Sequence, residues 1–498
     1  MGLKFMRFSL EVRINKRDLL VLAGLVVLSV GVYIAYSAIY HSVGFPLDDA
    51  WIHQTYARNL AEHGEWSFLT GKPSDGSTAP LWSALLALGY ILRVPPLVWA
   101  VLLGAGALWG LSVLAESAVR RIVTTYRPRF PWAGAVLAVE WHLVWAAGSG
   151  METLLYTLLV TAVLVLLISN SRHNIGLGLL IGASIWVRPD GITLLGPAFL
   201  ILAINQVQWK KRIKAILGLS MGAASLLASY LLFNLSVSGL PLPNTFYAKQ
   251  AEYASYLQIP FIQRLASEAL QPMIGVGIVL LPGLILACVN AIRKKEWSLP
   301  VAIIWLVGFL GLYAWRLPVT YQHGRYVIPA IPIYTILCLA GLVEFSQIHG
   351  KHFRWIVSLF WKLLVGITLF IFWGRGALAY AQDVAVIETE MVKTAKWVAV
   401  NVPPEAVVAA HDIGALGYFG GHDLVDLAGL VSPEVIPFLR DETQLAAYLN
   451  LRGVTYVVAF PDWYMSLTAN LEPIYTTGEH FAPAFGEQNM AVYRWPGP

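Results

Sequence analysis

Residues 80–92, PLWSALLALGYIL, are apolar but only 13 long. A helix rises 1.5 Å per residue and needs about 20 residues to cross roughly 30 Å of hydrocarbon. The stretch therefore reads as an interfacial or re-entrant helix, and that choice fixes the sidedness of everything after it. Eleven longer runs remain as spans, near 19–40, 96–115, 131–147, 153–170, 175–187, 190–206, 215–237, 271–291, 299–315, 327–345 and 355–374. One side then receives residues 1–18, RRIVTTYRPR, SRHN, WKKRIK, RKKE and HGKHFR, with 19 Lys and Arg, against 8 in the loops of the other side. Were 80–92 to cross, that bias would reverse, against the retention of basic loops in the cytoplasm. The expected architecture is an α-helical multi-pass membrane protein with about 11 spans, its N-terminus inside and some 120 C-terminal residues outside.

Composition agrees. Of 498 residues, 57% are hydrophobic and 13% charged, with a mean hydropathy of +0.63, whereas soluble chains are about 25% charged. The first run, 19–40, is too long for a signal core and lacks a small-x-small cleavage site, so it reads as an uncleaved anchor. Residues 381–498 carry 5 basic and 14 acidic side chains, a balance of −9, leaving 29 basic and 15 acidic in residues 1–380, or +14. The basic excess is thus a topology signal, and nucleic acid is excluded as a partner. Cys288 and Cys338 fall inside spans, which disfavours a disulfide framework or a zinc site. After Arg375 the chain changes character. EAVVAAHDIGALGYFGGHDLVDLAGL and VTYVVAF alternate β-branched runs, glycine turns and short helical stretches, predicting an extracytoplasmic α/β domain of three or four strands over 381–498. The membrane domain is then 1–380, with its first outer loop at 41–95.

That loop contains GFPLDDAWIHQTYARN, residues 44–59. A helix is predicted from Asp49 to a stop at Gly64, with Ile52, Tyr56 and Leu60 on one face. One aspartate can cap the helix, but Asp48 and Asp49 together add like-charge repulsion, which persists where it serves chemistry. The same side receives GSGMET (148–153), RPDG (188–191), LPNTFYAKQ (242–250) and RLPVTYQHGRY (316–326). Within a span, Glu140 and His142 are costly and should face the bundle interior.

PLDDAWIHQTYARNLAEHGEWSF, GKPSDGSTAPLWSALLALG, GSGMETLLYTLL, WVRPDG, LPNTFYAK, GRYVIPAIPIY and HDIGALGYFGGHDLVDLAGLVSPE resemble, in this order and through nearly the whole chain, the signature blocks of polytopic C-type (GT-C) glycosyltransferases. The similarity is greatest to the bacterial branch related to terminal arabinofuranosyltransferases. The resemblance implies a GT-C fold and inverting transfer of a sugar from a polyprenyl-phosphate donor to a glycan, lipid or protein acceptor in the cell envelope, at the outer face of the plasma (inner) membrane. It also maps the catalytic acidic pair onto Asp48 and Asp49.

An inverting transfer needs a base at the acceptor hydroxyl and stabilisation of the departing phosphate on the opposite face of the sugar. Asp48 is assigned as the base. Asp49 orients the acceptor or holds a divalent cation, Mg or Mn; no cofactor is otherwise required. Arg325, Lys249, Arg188 and His323 are the candidate phosphate ligands, each against the alternative of a snorkelling interfacial charge. Trp51, His53, Glu152, Asn244, Tyr247 and His411 are the expected substrate contacts, with a helix cap as the alternative for Glu152. Asp412 reads most simply as the cap of the short helix after it, and Asp190 as equally structural or functional. The competing classes are a transporter or flippase of lipid-linked saccharides with Glu140 and His142 as proton relay, and an enzyme moving a preassembled glycan from a diphosphate carrier. The transporter reading lacks the paired broken helices of repeat-built carriers.

Overall fold

A computed structural model describes residues 14–169, 173–205, 208–294, 297–347 and 352–497. Among them, six helices are long and apolar enough to cross a membrane: Lys16–Tyr40, Pro96–Ile122, Trp209–Ser238, Val276–Lys294, Ser298–Arg316 and Ile356–Asn401. Pro80–Ile91, Thr153–Ile168, Asn174–Val187, Pro189–Ile204 and Ala330–Ser346 are apolar but shorter. Large apolar side chains such as Leu20, Val27, Ile39, Met221, Leu232 and Phe370 stand exposed along the long helices, the surface a lipid-facing bundle presents. Several basic residues in the sidedness count, including Arg13, Arg172, Lys295 and Lys351, lie outside the described residues.

Several pairs of helices approach backbone to backbone. A Cβ on Gly178 would stand 2.2 Å from Leu219 O, and one on Gly341 2.0 Å from Gly283 O. Such contacts are the means by which membrane helices pack without a hydrophobic driving force between them.

The run 131–147 is not one helix. Trp132–Val139 and Trp141–Gly148 are separated at Glu140, whose backbone is extended at φ −64°, ψ 123°. Its carboxylate accepts from Leu143 N at 3.0 Å and pairs with His142 Nδ1 at 2.8 Å. A buried acid in an apolar run is satisfied here by breaking the helix and capping the second half. The run 190–206 likewise starts as a 3₁₀ turn, Pro189–Leu194, before Leu195–Asn205.

The expected domain boundary at 380/381 falls within a continuous rod. His352–Val386 passes through a π turn, Ile387–Val392, into Lys393–Asn401. Composition changes along this rod, but the hydrogen-bonded backbone does not stop. In the π turn, buried Glu390 accepts from Thr477 Oγ1 at 2.5 Å, Met490 N at 2.8 Å and Asn489 Nδ2 at 3.0 Å, fixing the rod to the C-terminal domain.

The first loop holds helix Asp49–His63, closed by Gly64 at φ 70°, a small hairpin of β1 (Ser67–Leu69) and β2 (Lys72–Pro73), and helix Pro80–Ile91. The C-terminal domain has five strands where the sequence foretold three or four: β3 (Val407–Ala410), β4 (Asp423–Asp426), β5 (Tyr456–Ala459), β6 (Pro473–Thr476) and β7 (Ala491–Arg494), ordered β4-β3-β5-β7-β6. β3 is parallel to β4 and β5, while β7 is antiparallel to β5 and β6. One apolar core runs from the helices through the first loop into this sheet, including Phe45, Tyr56, Phe68, Leu416 and Val458.

Candidate functional site

Helix Asp49–His63 begins where the apolar helices, the first loop and the C-terminal domain meet. Its first residue and Ile52 and His53 form one wall of a cavity of about 540 Å³. Met151 and Glu152 add a second wall, Lys249 a third, and Arg325 and Tyr326 a fourth. Its lining is mostly apolar, with Ile185, Ile192, Leu227, Leu231, Phe246 and Trp315 among it. A cavity of this size, apolar for most of its length with a few convergent charges, is the usual form of a small-ligand site.

The two aspartates part company. Asp49 faces the cavity and accepts from Arg325 Nη2 at 2.6 Å. Burial pushes its carboxyl up, but the Arg325 guanidinium, then the Lys249 ammonium, more than offset that and hold it well below the usual carboxylate range. Arg325 is 4% exposed, and its Nε and Nη1 have no protein partner. Buried guanidinium donors without acceptors are costly, and Arg325 lines the cavity.

Asp48, assigned as the base from sequence, is buried and does not line the cavity. Its Oδ2 accepts from Gly414 N at 2.7 Å and its Oδ1 from Ala415 N at 2.8 Å. The cap expected from Asp412 for the helical turn starting at Gly414 thus comes from another part of the chain, because that turn docks its free amides against the first loop. Burial, then the nearby Asp412, raise the Asp48 carboxyl above the usual range despite those two amides. A Cβ on Gly414 would sit 2.1 Å from Asp48 O, so glycine is what permits the approach. Arg58 Nη1 donates to Tyr418 O at 2.8 Å, a second tie between the same two segments.

Lys249 Nζ lies 3.5 Å from Glu252 Oε2, one turn along helix Asn244–Glu252. His411 Nε2 lies 3.5 Å from Glu252 Oε1, and its Nδ1 pairs with Tyr464 Oη at 2.7 Å. Burial raises the Glu252 carboxyl, but Lys249 and then His411 hold it down at about 2. His411 does not line the cavity and pairs with Glu252.

At the far side of Asp49, Glu152 lies 3.5 Å from His53 Nε2 and 3.6 Å from Arg188 Nη1. It makes no cap bond to the helix it precedes. His53 Nδ1 contacts Ser83 and Ser77 hydroxyls at 2.9 and 3.2 Å. Arg188 is spent on Glu152, on Asp190 at 3.2 Å and on Tyr313 Oη at 2.9 Å, and Tyr313 donates to Asp190. Arg188 lines the same cavity, with two carboxylates and the Tyr313 hydroxyl already beside it.

Other expected contacts lie elsewhere. His323 turns from the cavity and pairs with Asp383 Oδ2 at 2.8 Å. Trp51 packs edge-on to Phe45 and Phe419 and beside Tyr418, in the seam between first loop and C-terminal domain. Tyr247 lies against Phe246, and Asn244 donates its backbone N–H to Asp75 O; neither lines the cavity. Glu252, Tyr313, Tyr326 and Asp383 were missed. For Glu252 the i, i+3 spacing from Lys249 was the available signal; Asp383 carried none.

The Asp49 carboxylate has Arg325 and Lys249 as its cationic neighbours, and among the described residues no group of three His, Cys, Asp or Glu is arranged to hold a metal.

The resemblance seen in the sequence holds at the level of the fold, which is similar to that of two membrane proteins of known structure. ArnT from Cupriavidus metallidurans superimposes with a TM-score of 0.54 at 14% identity in the apo state, covering 95% of this chain and 98% of ArnT. The same enzyme bound to undecaprenyl phosphate gives 0.54 at 15% identity. Arabinofuranosyltransferase AftD from Mycobacteria matches with a TM-score of 0.51 at 14% identity, over 97% of this chain and 40% of AftD. In sequence, the terminal β-(1→2)-arabinofuranosyltransferase of Mycobacterium tuberculosis is 23% identical over 382 residues. That alignment covers 68% of this chain and 59% of the relative. A family profile described as a domain of unknown function (DUF8728) matches residues 377–493.

Proposed function

We propose that the protein is an inverting glycosyltransferase that moves a sugar from a polyprenyl monophosphate to an envelope acceptor. The carrying observation is Arg325, which lines the cavity with one nitrogen on Asp49 and two more buried without a protein partner. A phosphate beside Arg325 and Lys249 would satisfy them and place the anomeric carbon near Asp49, with the polyprenyl chain along the apolar lining. Charge-assisted bonds to phosphate are what a guanidinium makes best.

Asp49 takes the role of acceptor base. The acceptor hydroxyl attacks the anomeric carbon as its proton passes to Asp49; the C1–O bond to phosphate breaks, and the leaving phosphate monoester keeps the electron pair beside Arg325 and Lys249. These two cations keep Asp49 ionised at the expense of basicity. A phosphate seated against them shares their charge, and the proton affinity of Asp49 climbs as the donor binds. Asp48 holds the start of the helix against the C-terminal domain.

In the membrane, the reading places eleven crossings with the N-terminus in the cytoplasm, the two helices flanking Glu140 serving as one. The site and the C-terminal domain then face outward from the plasma membrane. The test is transfer by purified protein from a polyprenyl-monophosphate sugar, with the diphosphate as comparison. Release of the carrier monophosphate with a glycosylated acceptor supports the proposal; activity confined to the diphosphate donor, or movement of intact carrier across vesicles without transfer, overturns it.

A further inference from the structure

Arg325 is reached through an unusual piece of backbone. Gln322 (φ 52°, ψ 47°), His323 (φ 59°, ψ 32°) and Gly324 (φ 62°) are left-handed in succession. Two adjacent non-glycine residues in that region are strained, and such a turn survives only when its surroundings over-determine it. The hydrogen bond from Gly324 N to Thr320 O at 3.1 Å closes the turn but does not select its hand.

The His323 ring is held by groups outside the turn. It is hydrogen-bonded to Asp383 Oδ2 at 2.8 Å, and the same oxygen accepts from Trp145 Nε1 at 2.8 Å. The ring also sits edge-on to Trp141, 5.4 Å at 77°, and to Trp145, 5.1 Å at 73°. Asp383 belongs to the rod that continues into the C-terminal domain, and Trp141 and Trp145 to the half-helix that Glu140 caps. Two residues beyond His323, Arg325 meets Asp49. The mechanism leaves His323 and Asp383 without a direct role, although His323 lies in the loop that supplies the phosphate ligand.

We propose that Asp383 and His323 are positioning residues: their hydrogen bond latches a strained left-handed turn that aims Arg325 at the donor phosphate. The inference rests on the reading of Arg325 as phosphate ligand. Breaking the latch lets Gln322 and His323 relax toward ordinary backbone angles and swings Arg325 from its register with Lys249.

Binding of a short-chain polyprenyl phosphate to detergent-solubilised full-length protein, by intrinsic tryptophan fluorescence or microscale thermophoresis, tests this without turnover. Wild type should bind, and Arg325→Ala should lose most of the affinity; failure of wild type to bind refutes the phosphate site itself. If those controls behave, Asp383→Asn should weaken binding by about tenfold, or about 1.4 kcal/mol. Gln322→Gly in that background should restore most of it, because glycine takes positive φ without strain. A general packing role for Asp383 would not be rescued by a glycine at 322. Wild-type affinity in Asp383→Asn, or an affinity loss that Gln322→Gly leaves unchanged, overturns the latch.

Discussion

Asp49→Asn is the sharpest perturbation of the site. An amide of the same shape keeps an oxygen near Arg325 Nη2, now at 2.6 Å from Asp49, but cannot accept the acceptor proton. Loss of a positioned base typically costs 10²- to 10⁴-fold, about 3–5 kcal/mol in the barrier. A second cost falls on stability. Arg325 is 4% exposed with two nitrogens already unpartnered, and Asp49 is the one carboxylate among the described residues recorded in an ion pair with it. Removing one member of a buried pair costs about 3–5 kcal/mol, and the 29% exposure of the Asp49 side chain argues for the lower end. Transfer of radiolabelled sugar from the polyprenyl-phosphate donor should fall at least 100-fold, while binding of the unglycosylated carrier phosphate persists or tightens, because Arg325 is freed. Asp48→Asn should retain a substantial fraction of transfer and lose thermal stability. The opposite pattern, an active Asp49→Asn and a dead but well-folded Asp48→Asn, would refute the assignment and restore Asp48 as base.

Gly414→Ala forces its new methyl to 2.1 Å from Asp48 O, so the amides of 414 and 415 must withdraw; two hydrogen bonds to a carboxylate, about 1.5–3 kcal/mol each, should be lost as a lower melting temperature and faster proteolysis near the 402–422 region. Arg325→Lys keeps the charge but not the fork, and should raise the donor KM at least tenfold with a smaller change in acceptor KM. Asp75 is fully buried, and burial raises its carboxyl to about 7, against a weak lowering by Ser238. Its folded-state pKa thus exceeds its unfolded value near 3.9, so the fold carries a penalty absent below pH 4 that grows as pH rises and levels off above 7. Asp75→Asn should therefore melt higher than wild type by a margin that widens between pH 4 and 7, reaching at most about 4 kcal/mol; a pH-independent margin would contradict this.

Much of the architecture was legible because burial and helix rules leave marks at short range. Asp49 as helix start, Gly64 as stop, the short helix at 80–91 and the strands at 407–410 and 456–459 follow from local pattern. What escaped depends on distant partners. Glu140 looks like a costly residue in a span until its carboxylate is found capping a second half-helix. The last strands, PIYT and AVYR, are four residues each and make sense only when paired with each other and with β5. Asp49, His53, Glu152, Arg188, Lys249 and Arg325 all line one cavity. The division of labour between Asp48 and Asp49 did not show, because what distinguishes two adjacent carboxylates is the amide pair of residues 414 and 415, 366 positions along the chain. His323 was misdirected for a similar reason, its partner Asp383 being 60 positions away.

The unbroken rod from His352 to Asn401 has a bearing on how this polypeptide can be dissected. Because it is a single stiff shaft anchored at Glu390, the globular end cannot be pruned at residue 380 as an accessory. A shortened chain would strip the pair of amides from Asp48 and uncover Trp51, so inactivity of such a fragment would report a collapsed entrance helix and say nothing of the globule's own chemistry.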